Sequence, residues 1–272
     1  MSGSSLKKYF PLFVMPTLIA FLIAFLVPLV LGIYLSFTEF TTVNDAVFVG
    51  LKNYITAFSE SGEFLNSLWF TVKFAVVSVI TINVLAFLLA LVLTRDLKGT
   101  NFFRTVFFMP NLIGGIVLGY IWQLIINGVL YKFGFWGLVV LMNWQMIGYM
   151  MIIYIAALQN IPTEQIEAAK VDGASGIRIL FNVTLPGVMP AVTVCLFLTI
   201  TNAFKLFDQN LALTAGAPAK QSEMLALNIY NTFYGRSGFE GVGQAKAVVF
   251  AALVAVIALL QLYLTRRKEY ES

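Results

Sequence analysis

A chain of 272 residues that is 60% hydrophobic and only 11% charged, with a mean hydropathy of +0.88, has too few charges to cover a water-exposed surface, which uses roughly 25%. The composition excludes a soluble domain and makes the bilayer the solvent. The absence of histidine excludes histidine-based catalysis, proton relay and metal ligation, and the net charge of +4 reads as a topology signal, not as affinity for nucleic acid.

In chain order, six apolar segments fall at about 10–37, 66–94, 106–126, 135–158, 186–207 and 244–264, close to the ~20 residues a transmembrane helix needs. Short alternating segments of the kind that build barrels are not what the sequence shows. The expected fold is therefore an all-α, polytopic integral membrane protein with about six transmembrane helices in one domain, 1–272. The first segment follows Lys7-Lys8, exceeds a signal-peptide core and lacks a small-residue cleavage pattern, so it reads as an uncleaved span. With the N-terminus inside, the inner connections hold Lys7, Lys8, Arg95, Lys98, Arg104, Lys170, Arg178, Arg266, Arg267 and Lys268, against Lys52, Lys132, Lys220 and Arg236 outside. That asymmetry places both termini in the cytoplasm. Lys73, Lys205 and Lys246 lie within or beside spans.

Arg95 to Arg104 makes a tight inner turn around Gly99, and the outer connection from Asn127 to Gly134 is brief. Pro110 with Gly114-Gly115, and Pro186 with Pro190, mark helices that bend or break. Broken backbone is tolerated in a membrane only where protein or a water-filled cavity covers it, and the Gly pair equally suits close helix packing. Cys195 is the only cysteine, which excludes an intrachain disulfide.

The polar island at 159–185 separates two apolar segments. Thr163, after Pro162, is placed to cap a short helix carrying Glu164 and Glu167 in its first turn, and Gly173 is placed to end it in the left-handed conformation. A second helix is expected from about Ser175 to Val183 before Leu185-Pro186 redirects the chain. Ala168, Ala169, Gly173 and Ala174 present almost no side chain, so another backbone can approach closely, with Glu164, Glu167, Lys170, Asp172 and Arg178 as a polar rim. An ordinary amphipathic loop between spans is the plainer reading.

The run Glu167-Ala168-Ala169-Lys170-Val171-Asp172-Gly173-Ala174, with Phe181, Leu185-Pro186 and Pro190, resembles the EAA coupling loop of ABC-importer permeases. Phe108-Met109-Pro110, Phe207-Asp208, Leu213-Thr214-Ala215-Gly216-Ala217-Pro218, Ile229-Tyr230, Phe233 and Gly243-Gln244-Ala245-Lys246-Ala247 extend the resemblance over nearly the whole chain. It is similar to the carbohydrate-uptake branch of type I importers, on the side of the first maltose or glycerol-phosphate permease subunit. The sequence departs where that family commonly has glycine, at Ala215 or Ala217. It also has a shorter outer connection near Gly134-Phe135, a deletion or a stretch missing from the sequence.

The resemblance implies a non-catalytic permease subunit of a binding-protein-dependent importer in a bacterial-type cytoplasmic membrane. It would pair with a second homologous permease, two ATPase subunits and an extracytoplasmic solute-binding protein, with no cofactor of its own. ATP and Mg would sit on the partner ATPase, because Gly216-Ala217-Pro218-Ala219-Lys220-Gln221 lacks the Ser or Thr that a phosphate-binding loop needs after its lysine. Substrate contacts in maltose-type permeases come from the third to fifth segments, which makes Asn111, Trp144, Gln145, Tyr149 and Asn202 path candidates, together with Lys205. Trp144 and Tyr149 equally suit an interfacial belt, Asn202 an interhelical hydrogen bond, and Lys205 a helical pair with Asp208. The absence of Arg from the spans favours a neutral mono- or oligosaccharide over a phosphorylated solute. Alternatives are an ion-gradient-driven secondary transporter, which would carry ionisable groups deep in the membrane, a membrane enzyme, and a membrane scaffold subunit.

Overall fold

The computed structural model describes residues 13–59, 62–95, 98–125 and 134–269. Lys7, Lys8, Lys132, the start of the first expected span and the brief connection from Asn127 lie outside the described residues, as do the side chains of Arg266, Arg267 and Lys268. Helix α1 (Phe13–Leu35) leads into a two-stranded antiparallel hairpin, β1 (Thr38–Glu39) and β2 (Val47–Phe48), with Thr38 opposite Phe48. Helices α2 (Lys52–Ser59) and α3 (Glu63–Leu93) follow. Then α4 (Thr100–Phe108) passes through a 3-10 turn at Met109–Leu112 and breaks before α5 (Gly115–Ile125). Beyond lie α6 (Gly134–Gln159), α7 (Thr163–Val171), α8 (Gly176–Gly187) and α9 (Met189–Phe204). The chain closes with α10 (Asp208–Leu213), α11 (Leu225–Gly235) and α12 (Glu240–Glu269).

Among the described residues, four helices, α1, α3, α6 and α12, are long and apolar enough to cross a membrane unbroken. The other two expected spans are bent pairs: α4 with its 3-10 turn meets α5 at 102°, and α8 meets α9 at 69°. The expected third segment therefore begins earlier, at Thr100, and is not one rod. Pro110 supplies no N–H to the preceding turn and Ile113 leaves the helical region at φ −87°, ψ 129°, so the ladder ends there. In the fifth segment Pro186 and Pro190 flank the bend at Val188, and α8, expected as a loop helix ending near Val183, runs on to Gly187.

The chain forms two compact units. In the first, residues 1–64 with 229–251, the buried Asn53 side chain donates to the carbonyls of Ser36 and Thr38 at 3.0 and 2.8 Å. Gly241 meets the Thr38 carbonyl so closely that a Cβ there would overlap it. Lys246, 4% exposed, donates to Thr232 Oγ1 at 2.8 Å and lies over the Phe64 ring, while Arg236 pairs with Glu63 at 3.0 Å. On the hairpin loop, the hydroxyl of Thr41 and the backbone amides of Thr42 and Thr41 hold the Asp45 carboxyl down to about 2.

In the second unit, residues 65–228 with 252–272, a polar chain crosses three helices. The Tyr154 hydroxyl donates to Asn83 Oδ1 at 2.8 Å, and Asn83 Nδ2 donates to Thr199 Oγ1 at 3.0 Å, tying α6 to α3 and α9. Such bonds contribute about 0.6 kcal/mol each in bilayer proteins. Helix α4 crosses α6 so closely that a Cβ on Gly148 would overlap the Phe107 carbonyl. Gly148→Ala is expected to lower the thermal unfolding midpoint of the purified protein, at a cost of roughly 1–3 kcal/mol; an unchanged midpoint would contradict this crossing.

Candidate functional site

The break after the 3-10 turn opens on a cavity of about 410 Å3. Asn111 comes from that turn, Met142, Gln145 and Met146 from α6, Asn202 from α9, and Lys205 to Gln209 from the junction of α9 with α10. Four of the six path candidates thus share one cavity. Its polar wall consists mainly of side-chain amides, which both donate and accept.

Gln145 joins the parts. Its Nε2 donates to the Ile113 carbonyl at the break, 3.3 Å away, and its Oε1 accepts from Gln209 Nε2 at 2.7 Å. Helix α10 reaches this position because α5 has glycines four residues apart. A Cβ on Gly115 would stand 2.8 Å from Asp208 Cβ, and one on Gly119 would stand 2.8 Å from Ala212 Cβ. Small residues at that spacing let backbones approach closely. Gly115 therefore serves close packing, and that packing positions Asp208 and Gln209 in the cavity wall; a Cβ on Gly114 would meet nothing within 4 Å.

Asn202 Nδ2 donates to the Leu198 carbonyl of its own helix at 2.8 Å, its side chain makes no interhelical hydrogen bond among the described residues, and the residue lines the cavity. Lys205 and Asp208 do not form the expected helical pair. Helix α9 ends at Phe204 with Lys205 as its cap and α10 begins at Asp208, so the two do not share a helix, and no ion pair joins them among the described residues. Trp144 and Tyr149 lie elsewhere: the Trp144 ring sits 5.6 Å from that of Trp122, and Tyr149 meets Phe108 edge-on at 6.4 Å. One residue of helix is about 100° of rotation, enough to turn Trp144 aside from Gln145.

Sequence reasoning did not single out Gln209 or Asn210. Asn210 is fully buried, donates to the Ser222 carbonyl at 2.8 Å and accepts from the Met224 amide at 2.9 Å, which pins the loop after α10. In that loop Ala215 has φ +48°, a left-handed conformation that costs a non-glycine residue roughly 1–2 kcal/mol. This is the physical reason glycine suits that position; Ala217 has no such angle.

The loop at 159–185 is built on two caps. Position 162 is the N-cap of α7, and no side chain caps it. Thr163 is thus the first helical residue and not a cap, a correction that follows from Pro162, whose fixed φ already turns the chain into the helix. At the other end Gly173 has φ +75°, its N–H donates to the Lys170 carbonyl at 3.0 Å, and the Ala174 N–H reaches back to the Ala169 carbonyl at 2.9 Å. This Schellman closure satisfies the last carbonyls. Ser175 Oγ then accepts from the Arg178 N–H at 3.4 Å and starts α8.

A cleft of about 620 Å3 runs along this loop, lined by Pro162, Gln165, Ala168, Ala169, Asp172, Asn182, Pro186 and Pro190 among others. Glu164, Glu167 and Gly173 are exposed, Ala174 and Leu185 half-buried, and none of them lines it. Val171 at 88%, Ile177 at 72% and Phe181 at 60% exposure stand free on the loop; only Phe181 was expected, because single apolar residues in a polar stretch carry no periodic signal.

Solved structures show the fold. The crystal structure of a bacterial ABC transporter involved in the import of the acidic polysaccharide alginate contains a chain that superposes with a TM-score of 0.79 at 21% identity, covering 97% of both chains. Residues 98–270 match the family of binding-protein-dependent transport system inner membrane components, and this chain belongs to that family. It is 47% identical to the probable starch degradation products transport system permease protein AmyD of Thermoanaerobacterium thermosulfurigenes, covering 96% of this chain and 94% of that one. It is also 28% identical to the multiple sugar-binding transport system permease protein MsmF of Streptococcus mutans, covering 97% and 98%. The fold is that of a type I ABC-importer permease.

Water in the cavity is directly testable, because the one native thiol, Cys195, is fully buried. Asn202→Cys is expected to react with a charged thiol reagent at least about tenfold faster than Met150→Cys, whose position is fully buried, since reactivity follows exposure. Equal rates would contradict a solvated cavity.

Proposed function

We propose that this chain is one of two homologous permease subunits of an ATP-driven importer that carries a mono- or oligosaccharide across the cytoplasmic membrane. The observation that carries the reading is the paired arrangement of an amide-lined cavity at a helix break and a capped helical hairpin with exposed apolar residues outside the spans. Rings of sugar hydroxyls need groups that donate and accept in fixed directions, which Asn111, Gln145, Asn202 and Gln209 supply. The starch-product and multiple-sugar assignments of the two relatives support a sugar solute.

The loop at 159–185 is the proposed coupling element, with Glu164, Glu167, Ala168, Ala169, Asp172, Gly173, Ala174, Phe181, Leu185 and Pro186 as its functional residues. Exposed apolar groups such as Val171 and Ile177 suit a partner surface, here one of two ATPase subunits that hold ATP and Mg. Closure of the ATPases would push on α7, and α8 would pass the displacement through the bend at Val188 into α9, whose Asn202 faces the cavity. The chain itself catalyses no reaction. An extracytoplasmic binding protein would deliver solute from the opposite face, with both termini of this single permease domain cytoplasmic.

Gly173 tests the linkage. Proline has φ fixed near −65°, so it cannot take the +75° found there, and it removes the N–H bonded to Lys170. In proteoliposomes holding both permeases, the ATPases and the binding protein, wild type is expected to take up labelled malto-oligosaccharide only with ATP. Gly173→Pro should insert normally but lose at least about tenfold in uptake; normal ATP-dependent uptake by this variant would overturn the proposal.

A further inference from the structure

Helix α6 has 26 residues, about 39 Å at 1.5 Å each, against a hydrocarbon core of ~30 Å. Its last turn therefore stands at headgroup depth. There Leu158, with Leu91 from the end of α3, walls a cleft of about 600 Å3 whose other side is Ile166 and Lys170 of α7 and Ile179 and Leu180 of α8. This cleft shares Thr94 and Arg95 with a second, polar cavity of about 440 Å3 lined by Thr100, Asn101, Arg104 and Gln159. An apolar trough thus runs into a polar pocket at the membrane surface.

The charges described around this pair of cavities are of one sign. Arg95 lines both, Arg104 the polar cavity and Lys170 the apolar cleft, and no acidic residue lines either among the described residues, from which Asp96 is excluded; Asp172, just past the end of α7, lines the separate cleft beside Ala168 and Ala169. Arg104 spends one Nη2 hydrogen bond on the Leu93 carbonyl at 2.7 Å, and its Nε, buried, makes none. Arg95 and Lys170 are exposed and form no ion pair among the described residues. Three cations beside a greasy trough match one ligand chemistry: a phosphate joined to an acyl chain.

We propose that this paired cleft binds one anionic phospholipid of the adjoining leaflet, its phosphate among Arg95, Arg104 and Lys170 and an acyl chain along Leu91, Leu158, Ile179 and Leu180. The site requires only that the chain sit in a membrane and does not rest on the importer reading. Because α7 and α8 form one wall, the bound lipid links the hairpin to the end of α3.

The full-length chain, purified in detergent and stripped of lipid, would be titrated with phosphatidylglycerol, phosphatidylcholine or inorganic phosphate and its bound species counted by native mass spectrometry. Wild type is expected to retain one phosphatidylglycerol in preference to phosphatidylcholine. Arg95→Gln with Lys170→Gln, both side chains exposed and without an ion pair among the described residues, should bind it roughly thirtyfold more weakly, two surface cations being removed, with an unchanged unfolding midpoint. Equal retention of the two lipids by wild type, or undiminished binding by the double variant, would overturn the site. Displacement of the lipid by an equal concentration of inorganic phosphate would overturn the lipid assignment in favour of a free anion.

Discussion

A helix broken inside an apolar protein frees backbone groups that lipid cannot satisfy, and the arrangement of the second unit follows from how one of them is met. The Ile113 carbonyl, released where α4 and α5 part at 102°, accepts from Gln145. The same amide accepts from Gln209, so a single side chain closes the break and ties α6 to α10. The polar surface that results lines the cavity. Structural repair and the polar lining of the cavity are therefore one feature, and both follow from the proline and glycines that interrupt the helix.

Close approach supplies the rest. With Gly148 against the Phe107 carbonyl and Gly115 and Gly119 against α10, backbones come nearer than any side chain would allow. In lipid, where no hydrophobic force draws helices together, such contacts and a few interhelical hydrogen bonds carry association. The Asn83, Tyr154 and Thr199 chain adds direction to that packing, because the two bonds that join its members cross three helices and fix their rotation.

Much of this was legible in the sequence. Six apolar segments emerge from the hydrophobic runs along the chain, and the breaks from Pro110 with Gly114-Gly115 and from Pro186 with Pro190. The hairpin at 159–185 was legible in greatest detail because its geometry is local: Gly173 closes α7 through residues at most five positions away. The cavity was half legible. Asn111, Gln145, Asn202 and Lys205 converge, whereas Trp144 and Tyr149 do not, since the face a residue occupies on a largely apolar helix depends on rotation, which no continuous polar stripe on α6 records. Gln209 and the Asn83 chain were invisible for the same reason, their partners lying in other helices, and Asn210 because its partners lie in the irregular loop after α10. Thr163 misled because a proline before it does the work of a cap.

Two elements with different demands are therefore joined by one bent helix pair. The hairpin is closed by its caps and exposes Val171, Ile177 and Phe181, and the Val188 bend connects it to the helix bearing Asn202. The most direct measurement is to purify the tagged chain from its native membrane in mild detergent and identify its companions by mass spectrometry. Recovery of a second six-span permease together with an ATPase bearing a phosphate-binding loop is the expected result. Recovery of the chain alone or as a homo-oligomer, with such an ATPase present in the same membranes, would contradict the assignment of the hairpin as a coupling element.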